Sequence, residues 1–412
     1  MQTIYIGWED TWKTFSDHLA APFGVLTEGD SVIVSHKPEL LKLIDHDGDG
    51  RADITKVIAT GWGYNDNYHD WTFGLVRDDR NQYYVTLGSD YQQKDRPDNA
   101  SFLRGHALRI RSNGEIDDVA SGLRFAAGIN RNLEGAIFFT DNQGVQNTFN
   151  EINHLIPNSR YGVPAKTDTR NDVSITPLRE PAIYVPHPLT RSVNGLCFLE
   201  SHGRFAEFEG HGIACEYDTR ALLRFSLQKI GNTYQGACYR FTLPEQRIKG
   251  DALLGPICSS VAPNGDLYIG SFRDSGWGAG NNIGELVRIR RKGPLPLGIR
   301  EVRATDQGFV IDFTGAVDLD KAMQPDHYGI IRYQRVWKGG YATADSTRRS
   351  ESIIGIHCSD DRRSIILTLK PLQAGFLYDI HVGPIGIQNE PLWPADAYYT
   401  LNEIPEGPSL HP

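Results

Sequence analysis

The sequence predicts an all-β protein, a β-propeller followed by a small C-terminal β-sandwich. The 42 glycines, 22 prolines and 18 tyrosines suit short strands that are joined by tight turns. A strand–turn–strand pattern recurs about every 50 to 65 residues, a spacing typical of propeller blades that carry inserted loops. The pattern ends near residue 293, and alternating strands of a different kind follow.

Each copy of the repeat begins with a small residue and an apolar strand, passes through a polar turn, and ends in an aromatic-rich strand. The copies are PFGVLTEGDSVIVSH, FGLVRDDRNQYYVTLGSD, AAGINRNLEGAIFFTDNQG and CSSVAPNGDLYIGSF, with a weaker one at VNGLCFLESHGRF. A four-stranded sheet cannot bury both faces alone, and stacking around an axis solves this. We therefore predict a propeller over residues 1–293, which fits the repeat better than an array of sandwiches. Five blades are visible, and we expect a sixth from the N-terminal strand and the stretch 165–190, making six blades in all.

The chain after the segment GPLPLG (293–298) has a different pattern. Stretches such as GIREVRATDQGFVIDFTG and RRSIILTLKP alternate apolar and polar residues, which indicates strands of a small sandwich. We predict a separate domain with an immunoglobulin- or fibronectin-like fold over residues 297–412. It shows no evident chemistry, so we expect it to support the propeller or to bind a partner.

The composition excludes several classes of partner. The net charge is −9 and no basic run stands out, so we expect no nucleic-acid partner. No stretch of 18 apolar residues exists, and we expect no membrane span. The N-terminus has no basic and apolar leader pattern, so no signal peptide is visible. The five cysteines form no CxxC pair, and we interpret them as buried free thiols.

The segment DHDGDGRAD (45–53) has the spacing of an oxygen cage for a hard cation. It follows a strand, and position 12 of the loop is Lys56 where an EF-hand has glutamate. It resembles the DxDxDGxxD calcium loop that lies between strands of many extracellular propellers. The alternative is a solvated acidic turn. We predict a structural Ca²⁺ and an extracytoplasmic location, periplasmic or secreted, with these ligands: Asp45, Asp47, Asp49, the carbonyl of Arg51, and Asp53.

Two motifs occur in order over about 95 residues. The first is NYHDWTFGLVRDDRNQYYVTLGSD followed by GHALRIRSNGE, and the second is GLRFAAGINRNLEGAIFFTDNQGVQNTFNEINHLIPNSRYGVP. Together they resemble the soluble glucose/sorbosone dehydrogenases that use pyrroloquinoline quinone (PQQ). The wider chain, including CEYDTR (215–220), also resembles secreted bacterial proteins called membrane-bound dehydrogenase domains. The residues matched to the first family are His69, Tyr83, Tyr84, Gly88, Gly105, Leu108, Arg109, Gly114, Gly122, Arg124, Gly128, Gly144, Glu151, Ile152, Asn153, Tyr161, Gly162 and Pro164.

The resemblance implies roles for several residues. His69 would be the general base that takes the proton of the sugar C1 hydroxyl. Arg124 would stabilise the charge that develops on the quinone carbonyl. The backbone carbonyls of Gly144 and Val145 would hold a second calcium that orients the cofactor. The alternative for His69 is a turn histidine that is hydrogen-bonded to a neighbouring aspartate, and for Arg124 a salt bridge between blades.

The chain also departs from the family pattern. Phe125 stands where the family has an asparagine that contacts the cofactor, and Tyr68 replaces the aspartate before the base. The family's cationic clamp for the quinone carboxylates has as candidates Arg191, Arg273 and Arg220, which lie near strand ends.

Polar and aromatic residues at the same strand ends are candidates for sugar binding. They are Asp141, Asn142 and Gln143 for hydroxyl groups, and Trp71 and Trp277 for stacking on a sugar ring. The alternatives are binding of water for the polar residues, and packing between sheets for the tryptophans.

Three classes of function follow. The first is a PQQ-dependent aldose dehydrogenase-like oxidoreductase that acts on a small carbohydrate. It would need an external electron acceptor, because the chain has no CxxCH motif for a c-type haem. The second is a metal-dependent sugar dehydratase or lyase on the same fold, and the third is a non-catalytic carbohydrate-binding module. The motif order favours the first.

Overall fold

The chain folds almost entirely into β-strands. The computed structural model describes residues 4–5, 13–67, 69–90, 93, 95–145, 147–172, 174–242, 253–276, 280–291, 293–337 and 339–406. Two short α-helices, α1 (Asp98–Ser101) and α2 (Leu319–Ala322), and three single-turn 3-10 helices (Thr169–Asn171, Ala206–Phe208 and Pro325–His327) interrupt the strands. No helix among these residues is long and apolar enough to cross a membrane.

The described part of the first 291 residues forms five antiparallel sheets in which consecutive strands pair. The first sheet contains β2 (Gly24–Glu28), β3 (Ser31–His36), β4 (Glu39–Ile44) and β5 (Ile54–Thr60); strand β1 (Ile4–Tyr5) lies elsewhere. The second contains β6 (Thr72–Arg77), β7 (Tyr83–Leu87), β8 (His106–Ile110) and β9 (Ile116–Ser121). The third contains β10 (Ile129–Arg131), β11 (Ile137–Asp141), β12 (Asn150–His154) and β14 (Ile183–Val185), while β13 (Ser159–Arg160) pairs in parallel with β9.

The fourth and fifth sheets follow the same plan. The fourth contains β15 (Val193–Phe198), β16 (Gly212–Glu216), β17 (Ala221–Ile230) and β18 (Thr233–Arg240). The fifth contains β19 (Pro256–Val261), β20 (Leu267–Arg273) and β21 (Ile283–Ile289), with β1 from the N-terminus as its edge strand. The first strands of successive sheets contact one another in the order β2, β6, β10, β15, β19. This is the arrangement of propeller blades, in which the first strand of each sheet lies nearest the axis.

The small residue that opens each repeat allows these inner strands to approach closely. A Cβ atom on Gly24 would lie 1.7 Å from the carbonyl oxygen of Gly74 on the next blade. A Cβ atom on Gly195 would lie 2.5 Å from the carbonyl oxygen of Ile257. Larger side chains would force the inner strands apart, so the repeated glycine follows from the packing around the axis.

In the two segments that were expected to build a sixth blade, the described strands β1 and β14 complete other sheets instead. The N-terminal strand β1 pairs with β21 and completes the fifth sheet. The stretch 165–190 supplies β14, which pairs with β12 and completes the third sheet. Each segment therefore satisfies the hydrogen-bonding edge of a sheet that would otherwise have only three strands.

The C-terminal unit is a β-sandwich that shares a sheet with the propeller. One sheet contains β22 (Ile299–Ala304), β23 (Gly308–Phe313), β27 (Ser364–Leu369) and β26 (Ile353–Cys358). The other contains β25 (Arg349–Ser350), β24 (Tyr328–Tyr333), β28 (Phe376–Val382) and β29 (Asp396–Leu401). Strand β29 pairs with β18 of the fourth blade, giving one eight-stranded sheet. Ala237 and Tyr239 of β18 are buried in the core of the sandwich.

Candidate functional site

The predicted catalytic and cofactor-binding residues lie at one end of the propeller. In an antiparallel blade, the start of the first strand and the end of the second strand lie at the same end. His69, Arg124 and Arg191 precede β6, β10 and β15, which are first strands. Asp141 and Arg273 end β11 and β20, which are second strands. Residues distant in sequence therefore meet at this end, which we call the upper end.

His69 lies in a turn just before β6 and is partly buried. Its backbone N–H donates to Oδ1 of Asn67 at 2.8 Å. Burial lowers the pKa of His69 below its ordinary value of 6.5, and the positive charge of Arg124 lowers it further, against the opposing charge of Asp70. The imidazole is therefore neutral at pH 7, which is the form that accepts a proton.

The carboxylate next to the histidine is held by other groups. Asp70 is buried and forms an ion pair with Arg96, both side chains being 1% exposed. It also accepts a hydrogen bond from the backbone N–H of Asn65 at 2.6 Å. The buried ion pair between Asp70 and Arg96 thus fixes the turn that carries His69.

Aromatic rings line the site beside His69. The ring of Phe125 lies 6.3 Å from that of His69 and 5.1 Å from that of Trp71, measured between centroids. Phe125 also packs on Phe73 at 4.8 Å. The phenylalanine that replaces the family's asparagine thus belongs to an aromatic cluster, and Trp71 packs within it while remaining partly exposed. Trp277 lies outside the described residues.

Arg124 is held by both its backbone and its side chain. Its backbone N–H donates to Oδ2 of Asp141 at 2.8 Å. Its Nη1 donates to the carbonyl of Asn142 at 3.3 Å, and its Nη2 donates to the hydroxyl of Tyr341 at 2.8 Å. The guanidinium lies against Gly144, where a Cβ atom would come within 2.1 Å of it. Glycine at position 144 therefore makes room for Arg124.

Asp141 is fully buried, and its carboxyl group accepts hydrogen bonds from backbone N–H groups. Its second oxygen, Oδ1, accepts from the N–H of Phe125 at 2.7 Å. Burial raises the pKa of Asp141 to about 7, and the charge of Glu151 on the neighbouring strand adds to this effect. The carboxyl group holds the turn before β10, so it positions Arg124.

The fourth blade uses the same device. Glu216 ends β16 and accepts from the backbone N–H groups of Arg191 at 2.8 Å and Ser192 at 2.6 Å, just before β15. A buried carboxyl group at the end of a second strand thus fixes the turn that enters the first strand in two neighbouring blades.

Asn142 and Gln143, which were also predicted to bind sugar hydroxyl groups, are buried and hydrogen-bonded within the protein. Nδ2 of Asn142 donates to Oγ of Ser192 at 2.8 Å. Nε2 of Gln143 donates to the carbonyl of Arg191 at 3.0 Å, and its Oε1 accepts from the N–H of Ala342 at 3.2 Å. These bonds join the third blade to the fourth and to the C-terminal unit.

The two residues expected to hold a cofactor calcium form a tight turn. The carbonyl of Gly144 accepts from the N–H of Asn147 at 3.1 Å, and Val145 is 46% exposed. The Arg124 guanidinium against Gly144 would repel a divalent cation at this carbonyl. Both observations disfavour a calcium ion there.

The candidate cationic clamp is formed by side chains from the fourth and fifth blades. Arg191 is 65% exposed, and its Nε lies 3.5 Å from Asp218. The guanidinium of Arg273 lies 5.6 Å from the ring centroid of Tyr217. Within the described residues, Nη1 of Arg273 is buried without a hydrogen-bond partner. Arg220 donates to the carbonyl of Leu253 at 2.7 Å.

The predicted calcium loop connects β4 to β5 and lies at the opposite end of the first blade. The carboxylates of Asp45, Asp47 and Asp49 offer ligand atoms that all lie within 4.8 Å of one another. Asp53 accepts instead from the N–H of His46 at 2.7 Å. Hard oxygen donors at this spacing fit Ca²⁺, although the ammonium of Lys13 lies 3.8 Å from Asp49.

A loop of the C-terminal unit reaches the upper end of the propeller. Residues 334–348 connect β24 to β25 and bring Arg335 and Tyr341 to the third blade. Neither residue is predicted from the sequence. Tyr341 lies 217 positions from Arg124, Arg335 lies 188 positions from Asn147, and both belong to no recognised motif.

A model of the family described as "Domain of unknown function (DUF7133)" matches residues 7–273. None of the curated proteins compared with the chain matches it. Among solved structures, one named "glucose dehydrogenase" is 18% identical with a TM-score of 0.48, over 66% of this chain and 82% of that chain.

Two further structures are more distant. The PQQ-bound aldose sugar dehydrogenase from Streptomyces coelicolor is 14% identical with a TM-score of 0.39, over 68% of this chain and 97% of its own. A calcium structure of a family AA12 enzyme from Trichoderma reesei is 12% identical with a TM-score of 0.46, over 68% and 83%. Likenesses at this level assign no activity to the chain.

Proposed function

The chain belongs to the family described as "Domain of unknown function (DUF7133)", and we propose that it is a PQQ-dependent aldose dehydrogenase. The observation that carries the proposal is that His69 and Arg124 lie at the same end of the propeller, close enough for the charge of Arg124 to lower the pKa of His69. During oxidation of a sugar hydroxyl, a neutral imidazole can take the proton and a guanidinium can stabilise negative charge.

The residues at the upper end suit a planar quinone with carboxylate groups. The rings of Trp71 and Phe125 offer apolar surface for a flat molecule. The guanidinium groups of Arg124, Arg191 and Arg273 come from three successive blades and offer charge to carboxylates. When bound, PQQ would supply a two-electron acceptor for the hydride on C1 of the sugar.

The protein's own part is proton transfer and electrostatic stabilisation. His69 would take the proton of the C1 hydroxyl while C1 loses hydride, so that the aldose becomes a lactone. Arg124 would donate hydrogen bonds to the oxygen on which negative charge develops. The two electrons taken from the sugar would then pass to an external acceptor.

We also propose that the acidic loop of the first blade binds Ca²⁺, since three of its carboxylates offer ligand atoms within 4.8 Å of one another. The loop lies at the end opposite the site, so the ion would be structural. Binding there would favour an extracytoplasmic location, where calcium is abundant. The substrate that we propose is a small carbohydrate.

A titration with PQQ, followed by its absorbance, tests the proposal. We expect saturable binding to the calcium-loaded protein and reduction of the cofactor when an aldose is added. His69→Gln should keep PQQ binding and lose reduction by about 10²-fold or more. His357→Gln, an exposed histidine on the sandwich, is the matched control and should behave as the unmodified protein. Absence of binding at tens of micromolar PQQ would overturn the proposal.

A further inference from the structure

The loop 334–348 is anchored in the propeller by a buried arginine. Arg335 is 9% exposed and forms an ion pair with Glu151 of β12. It also donates to Oδ1 of Asn147 at 2.6 Å and to Oγ1 of Thr148 at 3.1 Å. Its guanidinium stacks on the ring of Trp337, 4.2 Å from the centroid. These contacts fix the start of the loop on the third blade.

The far side of the loop lies over the candidate site. The N–H of Ala342 donates to Gln143, and the carbonyl of Thr343 bonds to Nε2 of His187 at 3.1 Å. Immediately before these two anchors, Tyr341 reaches Arg124, whose guanidinium lies 5.3 Å from the centroid of the phenol ring. The C-terminal unit thus forms part of the surface around Arg124.

We propose that Tyr341 is a sugar-contacting residue of the candidate site, supplied by the C-terminal unit and held in place by Arg335. The hydroxyl of Tyr341 accepts from Arg124, so it keeps its own hydrogen for donation to a ligand. The side chain is 53% exposed and is open to a ligand. A phenol beside a guanidinium, with an aromatic wall close by, suits the oxygens and C–H faces of a sugar. The inference rests on the proposed function for the class of ligand.

The experiment compares Tyr341→Phe and Tyr341→Ala with the unmodified full chain. PQQ affinity and the KM and kcat for an aldose are measured for each. We expect Tyr341→Phe to raise KM about five-fold or more with kcat changed less, and PQQ affinity to stay within about two-fold. Tyr268→Phe, at the opposite end of the fifth blade, is the matched control and should leave all three unchanged. An unchanged KM in both Tyr341 variants would overturn the inference.

If PQQ does not bind, the proposed function is wrong. The role of Tyr341 in sugar binding can then be tested directly. The same aldoses are then titrated by calorimetry against the unmodified protein and Tyr341→Ala. A sugar whose affinity falls about five-fold or more in the variant supports the inference. Equal affinity in both proteins, or binding to neither, overturns it.

Discussion

Asp141 and Glu151 lie directly opposite each other on β11 and β12, and both carboxyl groups are buried. Two carboxylates at such close range repel each other, and burial makes the charge on each more costly. The protein offsets this from two sides. Asp141 accepts hydrogen bonds from three backbone N–H groups, and Glu151 is paired with Arg335 from the C-terminal unit. The candidate site therefore depends on a cation that the propeller itself does not supply.

Replacing Arg335 by methionine should strongly destabilise the protein. Glu151 would then be a buried carboxylate without its cation, which costs about 3–5 kcal/mol. The measurement is the free energy of unfolding in urea. Glu151→Gln in the same chain should recover part of the loss, because the uncompensated charge is removed.

The control for this prediction is an exposed ion pair. Lys229, 60% exposed, lies 3.7 Å from Glu134, and Lys229→Met should change stability by less than about 0.5 kcal/mol. A loss in Arg335→Met no larger than that in Lys229→Met would contradict the role given to the buried pair.

Asp141 should make the stability of the protein depend on pH. Its pKa is raised from 3.8 to about 7, so between these values the folded state binds more protons than the unfolded state. The stability from this group is therefore complete below its unfolded pKa and falls as pH rises through the folded pKa. At roughly 1.4 kcal/mol for each pKa unit, the change is about 4 kcal/mol.

Asp141→Asn provides the comparison, since an amide does not titrate. The free energy of unfolding in urea is measured at about pH 4.5 and at about pH 7.5. It should fall less between these two pH values in the variant than in the unmodified protein. Asp320→Asn, an exposed position on α2, should leave the fall unchanged. If the free energy of unfolding falls equally in Asp141→Asn and in the unmodified protein, Asp141 does not titrate in this range.

The repeat of the propeller can be predicted from the sequence, whereas most contacts of the candidate site cannot. The repeat is visible because each blade needs a small residue where the next inner strand passes, as at Gly24 and Gly195. His69 and Arg124 can also be singled out from the sequence, since they belong to motifs with fixed local spacing, and their roles stay predictions. Local patterns of this kind depend only on neighbours along the chain.

Long-range contacts leave no such signal. Arg335 and Tyr341 lie in a loop that no periodicity marks, and their partners are in another unit of the fold. Asp141 is a suitable sugar ligand by residue type and position, and only the backbone geometry shows that both its oxygens hold the turn before β10. The change of pattern after residue 293 predicts a separate C-terminal domain. In the structure, however, β29 of the sandwich pairs with β18 of the fourth blade, so the two units share a sheet.

Calcium should stabilise the protein through the acidic loop of the first blade. Binding to the folded state alone adds about 2.7 kcal/mol when the free ion is at about 100 times its Kd. Thermal unfolding with calcium and with a chelator measures the difference, which Asp47→Asn should reduce. Asp30→Asn, in an exposed turn at the same end of the blade, should not. Equal melting temperatures with and without calcium would indicate a solvated acidic turn.

The contact between Gly144 and Arg124 gives a test of how the site is built. The φ angle of Gly144 lies outside the left-handed region, so alanine fits the backbone there. The three atoms nearest to the added Cβ all belong to the guanidinium of Arg124, the first at 2.1 Å, and a flexible side chain can move away. We therefore expect Gly144→Ala to change stability by no more than about 1 kcal/mol while it displaces Arg124.

That displacement should be visible at His69. The positive charge of Arg124 lowers the pKa of His69, so moving the charge away should raise the pKa towards its ordinary value. Titration of the imidazole by NMR measures this without any ligand. Gly284→Ala is the matched control, since the nearest atom to its added Cβ is 3.6 Å away, at ordinary contact distance. If the pKa of His69 stays the same in Gly144→Ala, Gly144 does not set the position of Arg124, and the electrostatic link between the two proposed reacting groups fails.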